Sequence, residues 1–251
     1  MNALLERSVH FFVANTPSWH MILIEGPIGL VWSLACLWFA GCLKRSGLRT
    51  GYTRKVFHFL IFTTVAALQW TAGSRTVCLF GAACSSVVFL AVLLGNGNLL
   101  YEAMAREKDA PHRTYFILIP YFTTLIGGIL SNIFFGPAAI AGYLVAGLGD
   151  AIGEPVGTRF GRHTYRVPSL ASVPAYRSWE GSTAVFLASC AAVALAMTLS
   201  PHLASNGPGL RAIVIVAAAS ALAEAVSPHG WDNATLQVLP SWLVWMLARN
   251  A

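Results

Sequence analysis

Residues Thr76 to Gly95 read TVCLFGAACSSVVFLAVLLG, twenty positions without one Asp, Glu, Lys, Arg or His. About 20 apolar residues at about 1.5 Å each cross a hydrocarbon core about 30 Å thick, so this stretch has the length and chemistry of a bilayer-spanning helix. Working outward on the same criterion, seven further segments are predicted: Ile22 to Leu43, Val56 to Thr71, Tyr115 to Leu130, Ile133 to Leu148, Ser182 to Leu199, Leu210 to Val226 and Leu236 to Ala248. The last is short, so seven spans plus a half-helix is the alternative count.

The whole chain agrees with its most apolar part. Of 251 residues, 56% are hydrophobic and only 10% charged, with a mean hydropathy of +0.64. A soluble globular chain carries about 25% charged residues. This composition excludes a water-soluble domain, a disordered chain and a nucleic-acid binder. The expectation is an all-α, polytopic integral membrane protein of about eight transmembrane helices. Residues 21–251 are read as a single transmembrane catalytic domain, and residues 1–20 as an N-terminal segment lying at the interface. The apolar cluster Val9 to Ala14 is too short for the core of a cleavable signal. Five cysteines fall in apolar runs with no CxxC pair, which points to buried thiols rather than a disulfide frame.

The placement of charge predicts orientation. Twelve of the sixteen Lys and Arg residues fall in the first, third and fifth connections: Lys44 to Lys55, Arg106 to Arg113, and Arg159 to Arg177. Short cytoplasmic loops concentrate such residues. An eight-span arrangement with both termini on the opposite side satisfies the rule and puts every polar loop, including 150–181, in the cytoplasm.

Four constellations converge on that border. In Gly149-Asp150-Ala151-Ile152-Gly153-Glu154-Pro155-Val156-Gly157-Thr158-Arg159-Phe160-Gly161, glycines recur every fourth residue. On a helix they form one face that admits another backbone. Asp150 and Glu154 share a neighbouring face, and two carboxylates beside basic residues suit Mg²⁺ bridging to phosphate oxygens. A helix-packing stripe is the plainer alternative. In Arg177-Ser178-Trp179-Glu180-Gly181-Ser182, a serine caps the next span and its free amides suit an anion, although simple capping with an interfacial Trp explains the same letters. Glu224, followed by Pro228 to Asn233, either adds ligands or makes a plain turn. Arg54 and His58 share a helical face entering the membrane, where an ionisable residue is by default a functional candidate. Basic side chains with acidic and amide oxygens are equipment for phosphate and metal.

The order of these motifs is similar to that of the CTP-dependent lipid kinases, which include phytol, dolichol and diacylglycerol kinases. The likeness runs from about Arg54 to the C-terminus, through Arg54-Lys55-x-x-His58, Gly149-Asp150, Phe160-Gly161-Arg162-His163, Arg177 to Ser182, and Asp232-Asn233-Ala234-Thr235. It extends to the wider superfamily of phosphatidate cytidylyltransferase. The resemblance implies catalytic roles for Asp150, His58 and Lys55, and a metal site at Asp150 and Asp232 with Glu154 as a further ligand. It implies a nucleotide-phosphate site at Arg177, Ser178, Glu180 and Gly181; Arg159, Arg162 and Arg166 are expected to neutralise the triphosphate there, and His163 and Asn233 are further candidates for the nucleotide site. Arg177 stands where the kinases commonly have Lys, the stretch Val167 to Ala175 is longer than theirs, and the His229-Gly230 pair resembles the cytidylyltransferase ending, although the Asp-Asn-x-Thr that follows is nearer the kinase one.

The implied reaction transfers the γ-phosphate of CTP, or of another nucleoside triphosphate, to an isoprenoid alcohol such as phytol or a polyprenol, or to diacylglycerol. The cofactor would be Mg²⁺, and the partners the nucleotide, the lipid alcohol and the bilayer. A cytidylyltransferase making a CDP-lipid is the first alternative. A transporter is the second, although its ionisable groups should lie at the midplane rather than at one border.

Overall fold

The computed structural model describes residues 3–169, 175–200, 209–228 and 230–250. Part of the Val167 to Ala175 stretch, and His229, lie outside the described residues. Among the described residues the regular elements are helices and one hairpin. After α1 (Ala3–Ala14), α2 (Trp19–Arg45) begins where the Ser18 hydroxyl accepts the Met21 N–H at 3.3 Å, an N-cap of the usual kind. Helices α3 (Thr50–Thr71) and α4 (Ser74–Leu94) follow, then the single turn α5 (Leu99–Glu102) and α6 (Tyr115–Phe135). Seven of the eight apolar segments predicted from the sequence each fall on one helix, whereas Ile133 to Leu148 straddles the break at Gly136 between α6 and the helical stretch that follows.

Among the described residues, four helical stretches are long and apolar enough to cross a membrane: Trp19–Arg45, Ser74–Leu94, Tyr115–Phe160 and Trp179–Leu199. Their outer faces are apolar, with Leu23 72%, Leu93 83% and Leu187 61% exposed, as a lipid solvent would require. The third stretch is folded on itself. Gly136 adopts φ +52°, a conformation that glycine enters without penalty, and Pro137 follows it. The Tyr143 hydroxyl consequently reaches the Gly128 carbonyl at 3.4 Å, a pair that a straight helix would hold about 22 Å apart. Beyond this reversal come α7 (Ala139–Leu144), a π-helical stretch (Val145–Asp150) and α8 (Ala151–Phe160).

The one departure from an all-helical reading is an antiparallel hairpin, β1 (Thr164–Val167) with β2 (Ala175–Ser178), in which Tyr165 pairs with Arg177. The chain then continues through α9 (Trp179–Leu199), α10 (Leu210–Val226) and α11 (Asp232–Asn250). One apolar core gathers Phe62, Tyr143, Leu144, Val216, Leu236 and Val244 around α7, and a second gathers Leu37, Val87, Tyr101 and Ile117 between α2, α4 and α6.

Small residues let these helices approach closely. The glycine ladder faces α9: a Cβ on Gly153 would lie 2.5 Å from Val185 Cγ2, and one on Gly157 3.0 Å from Ser178 Oγ. The same device joins α7 to α11, where a Cβ on Gly142 would meet the Gln237 carbonyl oxygen at 2.1 Å. The glycine stripe is therefore a packing face, and the carboxylates beside it are carried along a second face of the same helix.

Gly142→Ala should cost about 1–3 kcal/mol or more through overpacking, because the clash is with backbone. Gly26→Ala in α2, with nothing within 4 Å of the added methyl, should be neutral or stabilising by helix propensity. Thermal unfolding of the two variants in detergent separates them, and equal melting temperatures would contradict the close α7–α11 contact.

Candidate functional site

The site grows from the first turns of α3. Lys55 and Asp150 are both buried, 6% and 4% exposed, and Lys55 Nζ donates to Asp150 Oδ2 at 2.6 Å. His58, one turn further on, places Nε2 3.0 Å from the Ala146 carbonyl and 3.4 Å from Asp150 Oδ2. A carbonyl only accepts, so Nε2 carries the hydrogen and faces oxygen on both sides. Asp150 Oδ2 is thus held by the Lys55 cation, with the imidazole beside it at 3.4 Å and its N–H given to the Ala146 carbonyl.

Glu154 sits differently from the metal ligand expected of it. Arg106 Nη1 reaches its Oε1 at 2.9 Å, Arg54 Nη2 its Oε2 at 3.3 Å, and Lys55 Nζ and Lys108 Nζ stand 3.6 and 3.8 Å away. Arg106, 3% exposed, also donates from Nε to Asp109 Oδ2 at 2.8 Å. Burial works against the Arg106 cation, but Glu154 and Asp109 outweigh it and leave its pKa raised. Four cations around one carboxylate make Glu154 the anchor of a basic cluster.

A second cluster closes the other side. Arg177 is placed by β2 and uses three nitrogens: Nε to Glu224 Oε1 at 2.7 Å, Nη2 to Asp232 Oδ2 at 2.9 Å and Nη1 to the Ser227 carbonyl at 3.0 Å. Asp232 is pushed above the usual carboxylate range by burial and by the charge of Asp150, with Arg177 opposing both. Ser178 accepts the Gly181 N–H at 3.1 Å and caps α9. Ser182 bridges from the Tyr165 hydroxyl at 2.7 Å towards Glu224 at 3.5 Å.

Between the clusters lies a polar cavity of about 250 Å³, lined by Arg54, Lys55, Arg106, Lys108, Asp150, Glu154, Arg177, Glu224 and Asp232 together with Ser178, Gly181 and Ser182. Beside it runs a cavity of about 580 Å³ with mostly apolar walls from α3, α4 and α6. Arg54, Lys55, Asp150 and Asp232 line both. At that junction Arg54 Nη1 is buried without a hydrogen-bond partner among the described residues, a donor suited to an anion.

Of the residues expected at the site, Lys55, His58, Asp150, Glu154, Arg177, Ser178, Gly181 and Asp232 are brought to these two cavities. Arg159, Arg162, His163 and Arg166 are exposed and line neither. Arg159 stacks over Phe160 at 5.4 Å, and His163 Nδ1 pairs with Glu180 at 2.9 Å, outside the cavity. Asn233 is on the apolar side, donating to the Pro120 carbonyl at 3.1 Å and to Thr124 Oγ1 at 2.8 Å, where it ties α11 to α6. Sequence reasoning did not assign Arg106 and Lys108 to the site and read them only as loop charges. For Arg54 the signal was its place one turn before His58.

A magnesium ion is ordinarily held by one or two carboxylates and completed by substrate phosphates. Asp150 and Asp232 are the carboxylates on the shared wall, each also paired with a cation, Lys55 at 2.6 Å and Arg177 at 2.9 Å, while Glu154 is ringed by four; no group of three or more His, Cys, Asp or Glu side chains placed to hold a metal occurs among the described residues.

Removing one member of a buried ion pair strands the other, at about 3–5 kcal/mol. Lys55→Met should pay that cost, whereas Asp150→Asn leaves Lys55 the Glu154 carboxylate at 3.6 Å and should be milder. Thermal unfolding ranks the two, and the reverse order would discount the pairing.

No family model, curated protein or solved structure matches the chain.

Proposed function

We propose that this protein is a membrane-embedded lipid kinase that transfers the γ-phosphoryl group of CTP, or of another nucleoside triphosphate, to a lipid alcohol. The observation that carries this reading is the junction of a cation-lined polar cavity and an apolar cavity at Lys55, Asp150 and Asp232. A phosphorylated head and a hydrocarbon tail need those two solvents side by side. The reading also accords with the motif order shared with CTP-dependent lipid kinases. With it goes a topology of about eight crossings, the polar loops cytoplasmic and both termini on the far side.

Phosphoryl transfer needs positioning and charge neutralisation more than covalent help from the protein. In this reading Arg54, with its unpaired nitrogen, and Lys108, at the rim, take the triphosphate oxygens. Lys55 holds Oδ2 of Asp150 with His58 beside it, and Oδ1 would take the alcohol proton. The alcohol oxygen bonds to the γ-phosphorus as the bond from that phosphorus to the β–γ bridging oxygen breaks. The nucleoside diphosphate leaves and the hydroxyl proton passes to Asp150. Asp232 and Asp150 would hold Mg²⁺, which when bound neutralises phosphate charge. Arg177, braced by Glu224, Asp232 and the Ser227 carbonyl, positions Asp232.

Incubation with phytol and CTP labelled at either the α or the γ position tests the reaction. Label from γ alone should reach the lipid; label from α would indicate a cytidylyltransferase instead, and nucleotide-independent flux through liposomes without turnover would indicate a transporter. Asp150→Asn should lower turnover at least about a thousandfold in a protein that remains folded. Arg54→Gln should raise the nucleotide KM about tenfold, the effect of one charge-assisted hydrogen bond, and an unchanged KM would remove Arg54 from the phosphate site.

A further inference from the structure

We infer that α1 is the stop that sets how long a lipid tail the apolar cavity takes, with Phe11 as the residue at its closed end. The inference rests on the kinase reading for the polar head, and on the cavity alone for the tail. The cavity begins at Lys55 and Asp150 and follows α3 from Arg54 to Val65. Those eleven helical steps measure about 16 Å. Helix α4, which returns after the turn at Gly73, lines it over the same length, from Val88 back to Val77.

At the end remote from Asp150 the wall is α1. Phe11, Phe12 and Asn15 line the cavity there. Phe11 is 9% exposed, while Leu4, Val9 and Val13 on the helix's other sides are 54%, 50% and 71% exposed. The helix is also pinned in place. The Ser74 hydroxyl donates to Asn15 Oδ1 at 2.5 Å, and Arg75 donates to the Ala14 carbonyl from Nη2 at 2.7 Å and from Nε at 3.3 Å. These contacts join the end of α1 to the start of α4, at the α3–α4 turn. A tail that has passed Val65 and Cys78 meets the Phe11 ring.

Two magnitudes define the occupant. The lining runs about 16 Å along α3 and about 24 Å along α6, from Phe116 to Asn132, which is at least one leaflet of hydrocarbon, half of about 30 Å. A volume of about 580 Å³ has room for a chain of ordinary membrane length. A long polyprenol would run into α1, so the acceptor this cavity takes is a lipid alcohol of limited chain length.

The test uses the full-length protein in detergent with farnesol, geranylgeraniol, phytol and a long polyprenol. Two quantities are measured: thermal stabilisation by each alcohol without nucleotide, and phosphorylation with CTP. Stabilisation should rise to geranylgeraniol and phytol and fall for the long polyprenol. Phe11→Ala should shift the long-to-short preference by about tenfold, the low end of what methylene-scale changes in a pocket give. Cys78→Phe, which fills the far half of the cavity, should shift it the opposite way. Folded variants that both keep the wild-type length profile would overturn the stop. If the profile moves in stabilisation while no alcohol is phosphorylated, the kinase reading falls and the stop stands. If phosphorylation proceeds with an unmoved profile, the stop falls and the kinase reading stands.

Discussion

Lys55 and Asp150 meet at 2.6 Å in a part of the bundle where either charge alone would be untenable. An unpaired ion in an apolar interior costs several kcal/mol, so each ionisable group admitted there must arrive with partners. The rest of the border obeys that constraint. Glu154 gathers Arg54 and Arg106, and Arg106 in turn holds Asp109. Arg177 satisfies Glu224 and Asp232 together. These pairings draw the start of α3, the α5–α6 connection, α8, the hairpin and the start of α11 into one polar layer at one end of an otherwise apolar molecule.

The layer bounds two adjoining spaces of opposite character. The larger one has carboxylates and cations at one end and mostly hydrocarbon walls along the remainder. A substrate taken up there would keep its tail in a lipid-like medium while its head enters a layer of fixed charges. Such preorganised charge acts strongly where water is scarce, because solvent does not screen it.

Much of this was legible in the letters. Seven of the eight apolar segments each lie on one helix, since length and hydropathy act locally, while the reversal at Gly136 inside Ile133 to Leu148 left no mark in hydropathy; the four-residue glycine spacing marked a true packing face because helical geometry turns spacing into position. The role of Glu154 was not legible: its spacing from Asp150 is local, whereas Arg54 and Arg106, which claim it, stand 100 and 48 residues away. The arginines after Asp150 read alike in sequence, yet the hairpin brings only Arg177 inward and leaves Arg159, Arg162 and Arg166 exposed. Two strands of four residues each carry too little periodicity to announce such a hairpin.

The π-helical stretch Val145–Asp150 has a wider consequence. Upstream, Gly142 must face α11; downstream, Gly153 and Gly157 must face α9. A regular helix advances about 100° per residue, so these demands would ordinarily fix each other's phase. A widened turn works like a vernier between them, absorbing the angular remainder. Asp150, at the last position of that turn, takes its direction from the adjustment itself, which is the setting in which π segments most often accompany function.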